Sequence, residues 1–109
     1  MNMEIDEGYL SKEPQFIEWK TANNATSHGI FYPPANKDFQ APEGSKPPLL
    51  VRAHGGPTGH YFANLDLKLQ YFTSRGFAVL LVNYRGSTGF GRTYRHLLRK
   101  TWVLFVCFV

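Results

Sequence analysis

The stretch Leu49-Leu50-Val51-Arg52-Ala53-His54-Gly55-Gly56-Pro57 decides how this chain reads. Its first five residues form a short, largely apolar run of the kind expected in a buried strand. The run ends in two glycines and a proline, which is turn chemistry. Glycine has no Cβ, so another group can come close to its backbone N–H. A strand that delivers a His-Gly-Gly turn therefore suits an oxyanion hole, a set of donors placed where negative charge develops on a reacting carbonyl. The same turn also reads as a tight connection that His54 fixes by hydrogen bonding.

Working outward, Phe77-Ala78-Val79-Leu80-Leu81-Val82 is a continuous apolar run, as expected of a strand buried on both faces. Between the two runs, Leu65–Tyr71 alternates strictly, which argues strand, yet Leu65, Leu69 and Phe72 recur at i, i+4 and i+7. Asn64 suits a helix N-cap and Gly76 the position just past a helix end. The spacing predicts a helix here, because two parallel strands need a crossover, and the three pieces make a right-handed βαβ unit. Upstream, Gln15–Lys20 and His28–Tyr32 read as an antiparallel pair around the Asn23-Asn24 turn, and the proline-rich stretch Pro33–Pro48 as a surface loop. Downstream, Gly86-Ser87-Thr88-Gly89-Phe90-Gly91 leads into a second amphipathic helix, with Tyr94, Leu97 and Leu98 on one face and Arg95 and Arg99 on another.

A length of 109 residues leaves room for one small domain, and 43% apolar residues suffice for a core. The net charge of +4 owes much to Arg85, Arg92, Arg95, Arg99 and Lys100, which read as a solvated helix face, so no nucleic-acid partner is expected. Cys107 is alone, so no disulfide framework exists within the chain, and a reducing, cytoplasmic setting is the expectation. The polar start Met-Asn-Met-Glu-Ile-Asp-Glu carries no signal-peptide pattern, which leaves the Asn24-Ala25-Thr26 glycosylation triplet without a role. No run reaches the roughly 18 apolar residues that suggest a membrane span, so no membrane partner is expected.

Nucleophile elbows in α/β hydrolases read Gly-x-Ser-x-Gly, and Ser11, Ser27, Ser45, Ser74 and Ser87 all fail that test. In Arg85-Gly86-Ser87-Thr88-Gly89 the first glycine adjoins the serine, so Ser87 reads as a loop residue. Gly86–Thr93 nearly matches a phosphate-binding loop, with Arg92 standing where that loop needs lysine. A degenerate nucleotide binder is therefore a minor alternative. His54 and His60 flank the turn at a spacing that could hold a metal, but Asp66 is the only nearby acid, and no metal or other cofactor is expected. His28 and His96 complete the histidines, and a triad base among the four needs a carboxylate partner and a serine within hydrogen-bond reach.

Two segments taken together, Pro48–Thr58 and Ser74–Gly91, resemble the start of the catalytic domain in the prolyl oligopeptidase family of serine peptidases. The likeness is greatest to the acylaminoacyl-peptidase and dipeptidyl-peptidase-like branches. His28-Gly29-Ile30-Phe31-Tyr32-Pro33-Pro34 and Gly91–Arg95 extend it over residues 9–102. The resemblance implies the N-terminal part of an α/β-hydrolase fold, incomplete: antiparallel edge strands followed by the βαβ unit. It implies cleavage of short peptides through an acyl-enzyme by a Ser-His-Asp triad. It places His54, Gly55 and Gly56 at the oxyanion hole, with the backbone N–H of Gly55 or Gly56 as donor. The resemblance sets His54 where several relatives use a tyrosine hydroxyl, and it implies a mainly structural role for the Arg85 region, which in relatives ties the strand end to the loop beneath the site.

Two departures qualify this. Relatives carry a β-propeller before this domain, whereas residues 1–14 here read as a linker. After the partial domain of residues 15–102, the chain runs into a divergent apolar tail, residues 103–109. The family's nucleophile, acid and base fall beyond that point. The expectation is a fragment that is inactive alone, with an open sheet edge available for self-association. A piece of an esterase or lipase, which share the oxyanion turn, and a non-catalytic interaction fragment are the alternatives.

Overall fold

The continuous apolar run becomes the centre of the sheet. In a computed structural model, which describes residues 6–56 and 58–99, four strands form one mixed sheet. They are β1 (Gln15–Lys20), β2 (Thr26–Tyr32), β3 (Leu49–Ala53) and β4 (Ala78–Asn83), in the spatial order β1-β2-β4-β3. β1 pairs antiparallel with β2. β2 pairs antiparallel with β4, placing Gly29 opposite Val82, while β3 lies parallel to β4 with Val51 opposite Leu80. The parallel pair is joined by helix α1 (Leu67–Thr73), and helix α2 (Gly91–His96) follows β4. The expected elements are all present.

Successive side chains alternate between the two faces of a sheet. On one face, Ile30, Tyr32, Val79 and Leu81 pack with Leu69 of α1, and Leu50, Tyr61 and Phe72 close around them. On the other, Val82, Tyr84 and Leu98 pack with Trp19 and Leu80. The segment leading into β1 is pinned to this body, since the Ser11 N–H donates to Gln70 Oε1 at 2.8 Å and its hydroxyl to Pro33 O at 2.6 Å.

Three sequence expectations need correction. β3, read as a buried strand, is an end strand of the described sheet, with Leu49 51% and Val51 59% exposed. α1 covers only the side that carries Leu50. Asn64 does not cap α1. The helix begins two residues later, where Asp66 adopts the extended cap conformation and accepts from the N–H groups of Lys68 (2.9 Å) and Leu69 (3.3 Å). Leu65 accordingly lies outside the helix and is exposed. Of the face expected for α2, Tyr94 is buried; the helix ends at His96, and in the turn that follows Leu98 is buried while Leu97 is 43% exposed. Two adjacent residues on a helical turn point about 100° apart, so only one of the two leucines can face the sheet.

Gly86 makes this packing possible. Its φ of +98° suits glycine, and a Cβ there would meet Leu98 Cδ1 at 2.5 Å. The apolar tail and Lys100 lie outside the described residues. No helix among the described residues is long and apolar enough to cross a membrane.

Candidate active site

The two sequence segments singled out above are one structural unit. The loop leaving β3 and the loop leaving β4 meet at the same end of the parallel pair, and side chains stitch them together. Asn83, buried at the end of β4, accepts from Tyr61 N–H at 2.7 Å through Oδ1 and donates to Tyr61 O at 3.0 Å through Nδ2. Further along, Thr88 N–H donates to Gly59 O at 3.0 Å, and Thr88 Oγ1 lies 2.6 Å from His60 Nδ1. Tyr94 of α2 donates its hydroxyl to Asn83 O at 2.6 Å, and burial pushes its phenol pKa up.

The turn His54–Gly56 sits against this seam. Its backbone passes over Tyr84, which is 1% exposed. The Tyr84 hydroxyl lies 2.7 Å from both His54 O and Gly56 O, so its one proton faces two carbonyl oxygens. Burial pushes the Tyr84 phenol pKa up, and it remains a donor at neutral pH. The imidazole of His54 stacks on the Tyr84 ring at 4.3 Å between centroids. Its Nδ1 lies 3.1 Å from Gly55 O and its Nε2 2.7 Å from Ser87 Oγ. A carbonyl oxygen only accepts, so the geometry suits the tautomer with the proton on Nδ1, leaving Nε2 to accept from the Ser87 hydroxyl.

A serine hydroxyl 2.7 Å from a histidine nitrogen has the look of a nucleophile and its base. Two observations argue against that role for Ser87. The residue is 0% exposed, so no substrate carbonyl reaches its Oγ. The other nitrogen of His54 faces Gly55 O and the Tyr84 hydroxyl, not the carboxylate a triad base needs. Ser87 is instead a buried brace on the imidazole.

Gly55 and Gly56 are exposed, and a Cβ added at either would meet nothing within 4 Å. Gly56 takes a φ of +68°, which favours glycine. Among the described residues, no protein acceptor takes a hydrogen bond from the N–H of Gly55 or Gly56. The turn therefore presents free donors beside open space, which is what a developing oxyanion requires.

The other candidates fall differently. Three of the amides that a phosphate-binding loop would offer are already engaged: Gly86 N–H donates to Tyr94 O, Ser87 N–H to Tyr84 O and Thr88 N–H to Gly59 O. No cluster of three metal-ligating side chains occurs among the described residues. His28 stacks on Phe90 at 4.3 Å, away from the turn. Arg85 donates to Thr21 Oγ1 at 2.9 Å, so it ties the β4 end to the β1–β2 connection. Asp66 caps α1 and pairs with Arg52 at 3.2 Å. Partial burial raises the Asp66 pKa, but the Leu69 amide, the Arg52 guanidinium and the Lys68 amide together hold it below the usual range. Sequence reasoning missed Asn83 and Tyr84 as site-forming residues. Their one visible signal was polar groups closing an otherwise apolar strand beside a glycine-rich loop.

A parallel strand pair joined by a helix, with a His-Gly-Gly turn at the C-terminal end of its first strand, is the opening part of an α/β-hydrolase sheet. The chain is similar here to the prolyl oligopeptidase family, whose model matches residues 63–103. The chain is 44% identical over 66 residues to the acylamino-acid-releasing enzyme of Mus musculus, matching 53% of this chain and 9% of that one. A puromycin-hydrolysing peptidase of Mycobacterium tuberculosis superimposes with a TM-score of 0.89 at 43% identity, covering 96% of this chain and 16% of that one. An acylaminoacyl peptidase of Pyrococcus horikoshii gives a TM-score of 0.61 at 30% identity over 75% of this chain and 12% of its own. The chain thus spans about a tenth to a sixth of the length of these relatives.

Proposed function

We propose that this chain supplies the first oxyanion-hole element of a serine peptidase that cleaves short peptides through an acyl-enzyme. The backbone N–H of Gly55, or that of Gly56, is the donor. The observation that carries this reading is the turn itself: two exposed glycines whose N–H groups have no acceptor among the described residues, on a turn buttressed from beneath by Tyr84 and Ser87. In this reading the donors stabilise the tetrahedral intermediate by hydrogen bonds that strengthen as charge moves onto the carbonyl oxygen. Nucleophile, general base and acid come from chain that the family resemblance places beyond this segment. The 109-residue chain by itself is inactive.

Two assays test it. The purified chain should release no nitroaniline from an aminoacyl nitroanilide. Turnover abolished by a serine-directed fluorophosphonate would overturn the inactive reading. Grafted in place of the matching segment of the mouse acylamino-acid-releasing enzyme, the residues of this chain should preserve turnover. A folded graft that labels with fluorophosphonate but does not turn over would overturn the oxyanion role.

A further inference from the structure

We propose that Tyr84 is the positioning residue of the oxyanion turn: its phenol sets which way the Gly55 N–H points. This rests on the oxyanion reading for its catalytic meaning but not for its geometry. A trans peptide is planar, so the C=O of one residue and the N–H of the next point in opposite directions. The His54 carbonyl is drawn to the Tyr84 hydroxyl at 2.7 Å, which turns the Gly55 N–H away from the core. The Gly55 carbonyl faces His54 Nδ1 at 3.1 Å, which likewise turns the Gly56 N–H outward. The Gly56 carbonyl returns to the same Tyr84 hydroxyl at 2.7 Å.

Three consecutive carbonyls are thus held on the inner side by one phenol and one imidazole. Those two rings hold each other by stacking, and Ser87 Oγ fixes the far nitrogen of the imidazole. A peptide that leads into a glycine flips readily, because a flip turns the φ of the second residue and glycine does not restrict it. Two glycines in succession would otherwise sample both orientations, and in one of them a carbonyl oxygen would face the substrate. Removing the hydroxyl alone leaves the buried ring and its stacking in place while freeing two carbonyls.

The test uses the full isotope-labelled chain and residual dipolar couplings, which report N–H directions. In the unmodified chain the Gly55 and Gly56 N–H vectors should point away from the Tyr84 ring. In Tyr84→Phe the couplings at those two glycines should collapse toward an average, while those of β2 and β4 stay unchanged. Vectors directed toward Tyr84 in the unmodified chain would overturn the proposal without any variant. So would Tyr84→Phe couplings identical to those of the parent.

The graft separates this from the catalytic reading. There Tyr84→Phe should lower kcat about tenfold or more at unchanged KM, less than the roughly 10²–10³ of losing a donor outright. Ordered vectors in a graft that labels but does not turn over would sink the oxyanion role and leave the positioning intact. An active graft whose kcat is indifferent to Tyr84→Phe would sink the positioning alone.

Discussion

β3 has two regions with opposite characters. At its C-terminal end, the turn is held by a phenol, an imidazole and a buried serine hydroxyl, and the neighbouring loop is latched to β4 through Asn83. A few residues earlier, Leu49 and Val51 lie open on a sheet face that no described element covers. The difference teaches that the corner and the sheet are specified separately. The side chains that hydrogen-bond the turn among the described residues are those of His54, Tyr84 and Ser87. The outer side of β3 contributes nothing to that orientation. The chain holds a braced turn on a sheet whose end strand is half-exposed among the described residues.

The sharpest way to break the comparison is at Asn83. Its side chain is 3% exposed and satisfies both the N–H and the C=O of Tyr61. Asn83→Ala leaves both groups without that partner, and an unsatisfied buried polar group costs about 1–3 kcal/mol. The expected result is a urea midpoint lowered by that much, with the loss of order confined to the 54–61 loop. A change below about 0.5 kcal/mol, within the range of ordinary surface substitutions, would mean that the corner does not depend on this latch.

How much of this was legible follows from where the information sits. β4 was readable because six apolar residues in succession leave little other choice. The glycine turn was readable because few sequences end a strand with His-Gly-Gly-Pro. The exposure of β3 was not, since an exposed end strand can have the same apolar composition as a buried one. Asn64 and Asp66 are both good caps, and only the position of Leu69 against the sheet decides between them. Tyr84, Ser87 and Asn83 act on residues 22 to 33 positions away, and such pairings exist only once β3 and β4 lie side by side.

Asp66 gives an intermediate effect, because it braces the crossover rather than the corner. Asp66→Ala removes the N-cap of α1 and should cost about 1 kcal/mol. The pair with Arg52 is half-exposed and adds little. Its folded-state pKa is lowered, so its contribution is fully present above the unfolded carboxylate value and is lost as the pH falls through the folded one. Urea midpoints of parent and variant should therefore converge in acid. A gap that persists at a pH below the folded value would mean that the carboxylate charge is not what stabilises the helix.

Val51 carries the smallest effect on stability and the largest on association. The residue is 59% exposed, so Val51→Lys should shift the unfolding free energy by no more than about 0.5 kcal/mol. The same lysine sets a charge on a bare apolar strand at the end of the sheet, where natural proteins use lysine to block edge-to-edge pairing. If a second copy of the chain covers this face, sedimentation should show concentration-dependent association in the parent and a monomer in the variant. The Gly55 and Gly56 couplings should be the same in both. A parent that stays monomeric, or a variant that associates as strongly, would show that this face is not the contact. A change in the glycine couplings would be more telling still. It would mean that the bare side of β3 and the prepared corner communicate, and the separation between the two regions would fall.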